Sequence, residues 1–300
     1  MAEEKARNVG PSGIEVAYER IGDRGALPVL LIMGAGAQMI SWPDGFCAEL
    51  AGRGLQLIRF DNRDAGRSTH FPDGPVPDLA AALAGDFSSA AYTLADMAAD
   101  TAGLLDVLGL GSAHIVGASL GGMIAQTMAI ECPARVRSLT SIMSTTGALG
   151  VGLPDLPARA GLGAPPANRA GFIDWRVRAL RVTGSPGFEF DEAAAAELAG
   201  RAYDRDHDRL AMLRQSVAVL ASGDRTARLR SLRVPALVLH GDDDRMCHVS
   251  GGRATAAAIP GAELVIFEGM GHSLPQQLWP KIADLIAGLV QRAEAGPVPA

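Results

Sequence analysis

The feature of this 300-residue sequence that most limits its fold is a five-residue turn, Gly117-Ala118-Ser119-Leu120-Gly121. It lies between a short apolar strand pattern at 113–116 and a helical pattern at 123–131 that Pro133 ends. G-x-S-x-G in that position sends the chain from strand into helix within a few residues, which holds the serine in strained backbone geometry. The flanking glycines suit that crowding, because side chains at those places would strike neighbouring backbone. Such a turn belongs at the end of a buried strand, so the rest of the chain is expected to supply a sheet around it.

The pattern elsewhere meets that demand. Continuous apolar runs at 28–33, 55–60, 136–143, 234–239 and 263–267 read as buried parallel strands, and 14–20 as an alternating one. Helical spacing occurs at 42–53, at 92–108 with Thr93 as N-cap and Gly109 and Gly111 as the stop, and at 279–292. Residues 61–90 form a loop rich in Pro, Gly and Asp. From 147 to about 166 periodicity fades into Gly, Pro and Ala, and three helical patterns (172–182, 191–203, 209–221) follow before strands resume at 234. The expected fold is therefore α/β: a mostly parallel central sheet flanked by helices, with core segments 1–146 and 231–300 and a helical cap at 147–230 inserted between two late strands. An apolar share of 48% is enough for almost the whole chain to join a compact fold.

A serine hydroxyl at neutral pH is a poor nucleophile until a base removes its proton and a third group orients that base. Behind an elbow of this kind the partners follow in the order acid then histidine, on loops at the carboxyl ends of later strands. The loop after 237–239 carries Asp242, Asp243 and Asp244, and the loop after 264–267 carries His272. Loop geometry favours Asp244 as the acid, since a few residues beyond the strand let the chain turn back toward the elbow, whereas Asp242 follows Gly241 at once. Among the other histidines, His114 and His240 lie in or at the end of strands, His70 and His207 in polar segments, and His248 is the rival to His272 because it lies four residues after Asp244. An oxyanion needs two backbone N–H donors. Leu120 offers one, and the small-residue turn Met33-Gly34-Ala35-Gly36 offers the other at Ala35. The charged stretch 61–68 reads as structural, a tight turn that can satisfy its own hydrogen bonds and brace neighbouring loops.

Charge and cysteine usage narrow the remaining classes. A net charge of −6 without any Lys/Arg cluster gives no footprint for nucleic acid. The polar N-terminus lacks a secretory signal and no stretch approaches a membrane span, so a cytoplasmic protein is expected. Cys47, Cys132 and Cys247 are widely spaced, without C-x-x-C, and read as free thiols rather than metal ligands.

With these residues in place, the chain resembles the α/β-hydrolase superfamily over nearly its whole length, and within it the aclacinomycin methylesterase-like hydrolases. The resembling stretches are Leu31-Ile32-Met33-Gly34, Ser41-Trp42-Pro43-Asp44, Arg59-Phe60-Asp61-Asn62-Arg63-Asp64 with Gly66 and Ser68, Val116-Gly117-Ala118-Ser119, and Gly269-Met270-Gly271-His272-Ser273-Leu274-Pro275. The resemblance implies hydrolysis of a small-molecule carboxylic ester through an acyl-enzyme, without cofactor or metal, by Ser119, Asp244 and His272 with the N–H groups of Ala35 and Leu120. Leu120 and Met33 depart from the methionine and histidine common at those positions, which changes the pocket wall but not the backbone donors. The same triad also suits cofactor-free perhydrolysis or acyl transfer, and the fold suits a non-catalytic ligand binder. A carboxylate nucleophile, as dehalogenases and epoxide hydrolases of this fold use, has no place where Ser119 stands.

Overall fold

A computed structural model describes residues 2–296. The expected core segments, which begin at 1 and end at 300, thus reach past the described residues at both ends. Eight strands form one sheet in the order β1-β2-β4-β3-β5-β6-β7-β8. They are β1 (Glu4–Val9), β2 (Ile14–Ile21), β3 (Leu27–Ile32), β4 (Leu55–Phe60), β5 (Ala113–Ala118), β6 (Val136–Ile142), β7 (Ala236–Gly241) and β8 (Glu263–Phe267). From β4 to β8 every pairing is parallel, while β1 and β2 are antiparallel additions at one edge.

Parallel strands buried on both faces need apolar residues pointing both ways. In β3, Leu30 and Ile32 face one core with Ile58 and Ile115, whereas Val29 and Leu31 face the other with Leu57 and Val116. Helices α3 (Leu94–Val107) and α4 (Leu120–Glu131) cover the first face. Helices α1 (Asp44–Ala51) and α11 (Trp279–Ala295) cover the second, the latter through Ile282, Ile286, Leu289 and Val290 at helical spacing. Thr93 caps α3 in a capping box with Asp96, each side chain bonding the other's backbone N–H.

Between β6 and β7 the chain leaves the sheet for α5 (Leu156–Ala160), α6 (Arg169–Thr183), α7 (Glu192–Arg205), α8 (Ala211–Ser222) and α9 (Thr226–Leu229). Two more helices complete the set, α2 (Leu79–Leu83) within the loop after β4 and α10 (Ser250–Ala258) after β7. Among the described residues, no helix is long and apolar enough to cross a membrane.

Three differences from the sequence-based expectation have physical reasons. Strand β1 escapes the pattern because a register shift between Ala6 and Val9 breaks its alternation, and Lys5 and Arg7 point outward. Helix α10 carries two glycines and no large apolar residue, and both are required by packing: a Cβ at Gly252 would lie 2.5 Å from His240 Nδ1. Helix α4 begins at Leu120 rather than three residues later, so Ser119 alone makes the turn between strand and helix.

Candidate active site

The elbow is held by backbone contact on every side. Ser119 has φ 56° and ψ −119°, a region that costs about 1–3 kcal/mol for a residue with a side chain. A Cβ at Gly117 would lie 2.1 Å from the carbonyl oxygen of Gly121, and one at Gly121 would lie 2.0 Å from that of Ile32, so neither position accepts any other residue. The Ser119 N–H donates to Ile142 O on β6, and Ser144 Oγ donates to Ser119 O. These bonds clamp the strained residue between β5 and β6 and leave Oγ facing outward from the carboxyl edge of the sheet.

His272 brings its ring to that hydroxyl. Its Nε2 lies 3.0 Å from Ser119 Oγ and its Nδ1 lies 2.7 Å from Asp244 Oδ2. The other oxygen of Asp244 accepts the backbone N–H groups of Met246 and Cys247, both at 2.8 Å. A carboxylate facing Nδ1 places the ring proton there, which leaves Nε2 as acceptor toward the serine. Of the three adjacent aspartates, only Asp244 is buried at the ring. Asp242 and Asp243 are exposed, and Asp242 Oδ1 accepts the Gly269 N–H, tying the acid loop to the histidine loop.

Among the described residues, none of the remaining histidines hydrogen-bonds Ser119, although His240 Nε2 lies 3.6 Å from Asp244 Oδ2. His248 is exposed, its Nδ1 3.0 Å from Ser250 Oγ. His114 Nδ1 lies 2.8 Å from Ser138 Oγ inside the sheet, and His207 stacks on Tyr203. His240 is fully buried with Nε2 2.7 Å from Cys247 O, and burial lowers its pKa below the usual histidine value. Burial pushes the Cys47 thiol up to about 11 and raises that of Cys247 as well, so both are inert thiols.

The insertion supplies contacts that sequence reading missed. The backbone N–H of His272 donates to Thr183 O at the end of α6, and the Gly271 N–H donates to Ser185 Oγ, which also meets Ser273 Oγ at 2.9 Å. The Gly187 N–H donates to Gly269 O, and a Cβ at Gly271 would lie 1.8 Å from Gly184 O. Residues 183–187 thus line the histidine loop through backbone groups and the Ser185 hydroxyl, which leaves no hydrophobic pattern to read.

The turn after β3 faces the elbow from the other side. A Cβ at Gly34 would lie 3.0 Å from that of Ser119, and Asn62 Nδ2 donates to Met33 O. Neither Ala35 N–H nor Leu120 N–H donates to any partner among the described residues, and Leu120 opens α4, where the first N–H groups point free along the helix axis. The two donors expected for an oxyanion are therefore available.

The loop at 61–68 bonds within itself, as in Ser68 Oγ donating to Asp61 O, and braces the turn after β3, but it also draws partners from distant helices. Asp61 Oδ1 accepts the Met39 N–H and Oδ2 the Arg67 N–H, while Arg205 of α7 pairs with Oδ2. Arg63 forms a two-pronged pair with Asp100 of α3. Arg214 of α8 does the same to Asp64, with Nε and Nη2 each 2.8 Å from a carboxylate oxygen, and Tyr92 donates to Asp64 as well. Sequence could not show these pairs, since the partners lie 144 and 150 residues away for the two insertion arginines. Asp64, His70 and Asp208 have ligand-type atoms within 4.8 Å of one another, but the guanidinium of Arg214 already fills the space between Asp64 and Asp208. That cluster is an ion-pair network across the insertion boundary.

Comparison with known proteins places this arrangement. The alpha/beta hydrolase fold family matches residues 28–275. A rhodomycin D methylesterase of Streptomyces sp. (strain C5) is 31% identical, the alignment covering 92% of this chain and 94% of that protein. Among solved structures, an esterase from Rhodococcus sp. ECU1013 superposes with a TM-score of 0.75 at 22% identity over 96% of this chain and all (100%) of its own. A meta-cleavage product hydrolase from Pseudomonas fluorescens IP01 gives 0.73 at 19% identity, covering 98% of each chain. Both structural likenesses speak for the fold, and the sequence match for the family. The chain belongs to the α/β-hydrolase fold family and resembles its methylesterase members over nearly its whole length.

Proposed function

We propose that this protein hydrolyses a carboxylic ester at Ser119 through an acyl-enzyme, with His272 as base and Asp244 as the acid that orients it. The observation that carries the proposal is the continuous chain Asp244 Oδ2, His272 Nδ1, His272 Nε2, Ser119 Oγ, with links of 2.7 and 3.0 Å. His272 Nε2 takes the hydroxyl proton as Oγ attacks the carbonyl carbon. The oxygen that becomes negative is stabilised by the N–H groups of Ala35 and Leu120, the second reinforced by the positive end of the α4 dipole. His272 returns its proton to the departing alkoxide as the C–O bond breaks. Water, deprotonated by the same nitrogen, then attacks the acyl-enzyme and releases the acid.

Residues 147–230 act in this reading as a cap over the site, and the methylesterase relatives favour a methyl ester of a bulky apolar compound as substrate. The protein is proposed to work in the cytoplasm on a small molecule. Replacing Ser119 by Ala is expected to lower ester turnover by about four orders of magnitude with no loss of thermal stability, because triad members act as a unit. Labelling by a fluorophosphonate should mark Ser119 in the folded protein and vanish in that variant. Undiminished turnover in the variant would overturn the assignment.

A further inference from the structure

We infer that Gln215, on the inserted helix α8, is a positioning residue for the oxyanion donor at Ala35, so that the insertion sets the rate of the chemical step. The inference rests on the ester hydrolase reading above. It begins at the turn 34–37. The Ala37 N–H donates to Gly34 O, and Gly36, the third residue, has φ +64° while Ala35 keeps a negative φ. That is the pattern of a type II turn, whose central peptide is held by little besides the turn itself and can flip when nothing else binds it. Here something binds it. Gln215 is fully buried and its Oε1 accepts the Gly36 N–H at 2.8 Å, fixing the peptide that joins Ala35 to Gly36.

The other end of the amide is fixed as well. Gln215 Nε2 donates to Arg63 O at 2.9 Å, and Asn62 Nδ2 closes the loop by donating to Met33 O at 2.9 Å. The carboxamide therefore links the turn after β3 to the loop after β4 in one defined orientation, since each end meets a partner of only one polarity. Helix α8 is itself pinned next to this point by the Arg214 pair with Asp64, and Met212 lies on Gly36, where a Cβ would come within 3.0 Å of its Cγ. The Ala35 N–H shares its peptide with Gly34 O, which the Ala37 N–H holds only while the turn stays closed, so freeing the Gly36 N–H loosens the turn and with it the peptide that carries the donor. An oxyanion pocket accelerates the reaction because its donors need no reorganisation as charge develops, so loosening one donor lowers the rate without weakening ground-state binding.

Hydrolysis of p-nitrophenyl acetate by Gln215→Met and Gln215→Glu tests the idea. Met keeps the volume and loses both bonds; Glu keeps the acceptor for Gly36. For Gln215→Met kcat is expected to fall by about 10- to 100-fold, less than the full loss of an oxyanion donor, while KM stays within about twofold. Inhibition by phenylboronic acid, whose tetrahedral adduct on Ser119 uses the same pocket, should weaken by a similar factor, and Gln215→Glu should retain more kcat than Gln215→Met. A folded Gln215→Met with unchanged kcat, a rise in KM alone, or equal loss in the two variants overturns the inference. Should Gln215→Met not fold, Gln215→Glu decides: losses of kcat with boronate affinity intact overturn it, and parallel changes in the two support it. Normal turnover in Ser119→Ala would instead sink the ester hydrolase reading itself, so the two failures are distinguishable.

Discussion

The elbow at 117–122 and the loop at 61–68 leave the carboxyl ends of strands only two places apart in the sheet, yet they are held in opposite ways. The elbow is fixed by contacts of its own backbone with itself and with the ends of β3 and β6: Gly117 against Gly121, Gly121 against Ile32, and the Ser119 N–H on Ile142. The loop after β4 is fixed by buried charges whose counterparts come from α3, α7 and α8. A steric constraint of the first kind has no alternative partner and tolerates no change. An ion pair of the second kind depends on two distant segments arriving together, so it transmits the position of the insertion to the core.

The largest effect that would sharpen this contrast is at the elbow. Gly121→Ala places a methyl group 2.0 Å from a carbonyl oxygen on β3 and is expected to destabilise the fold by more than about 4 kcal/mol, measured by urea unfolding. A variant of near-native stability would show that the turn relaxes and that its rigidity is not what places Ser119. Next comes the loop. Arg214→Met leaves Asp64 buried without its guanidinium partner and is expected to cost about 3–5 kcal/mol, with part recovered when Asp64→Asn is added. Equal stability of the single and double variants would mean that the pair is not the anchor.

A smaller effect concerns pH. Burial first, opposed by Glu294, lowers the pKa of His114 on the strand that carries the elbow, and burial does the same to His240. The unfolded chain then takes up protons at the ordinary histidine value before the folded one does, so stability is full above about pH 6.5 and is lost as pH falls below it. Asp61 and Asp100, raised by burial, act in the opposite sense at lower pH, so the difference between wild type and His114→Asn is the quantity to read. The variant should show a flatter fall in Tm between pH 7 and about 5.5; an unchanged slope would exclude His114 as a source. Smallest of all is the exposed pair of Arg169 with Asp204 on the insertion, about half exposed on both sides. Arg169→Ala is expected to leave Tm unchanged, because exposed ion pairs contribute little. A clear drop would mean that charge at the insertion surface counts as much as charge at its buried boundary.

The strands other than β1, the main helices and the elbow were legible because each is written in a local code. Buried parallel strands show as apolar runs, α3 and α11 show as helical spacing, and a G-x-S-x-G between strand and helix has few geometries open to it. Asp244 and His272 could be located by their order behind Ser119 and their places after β7 and β8. The choice among three adjacent aspartates was harder to read, since it turns on which carboxylate the loop buries beside the ring.

What the amino-acid sequence by itself determined is thus the sheet apart from β1, the main flanking helices and the segments from which Ser119, Asp244 and His272 project, all of them consequences of short-range patterning. Tertiary structure alone decided that Thr183 and Ser185 meet the histidine loop, that Arg205 and Arg214 meet Asp61 and Asp64, and that Gln215 meets Gly36. The physical reason is that single hydrogen bonds and ion pairs between segments far apart in the chain leave no periodicity behind. Their partners are chosen only when packing brings the segments together and burial makes an unpaired polar group costly.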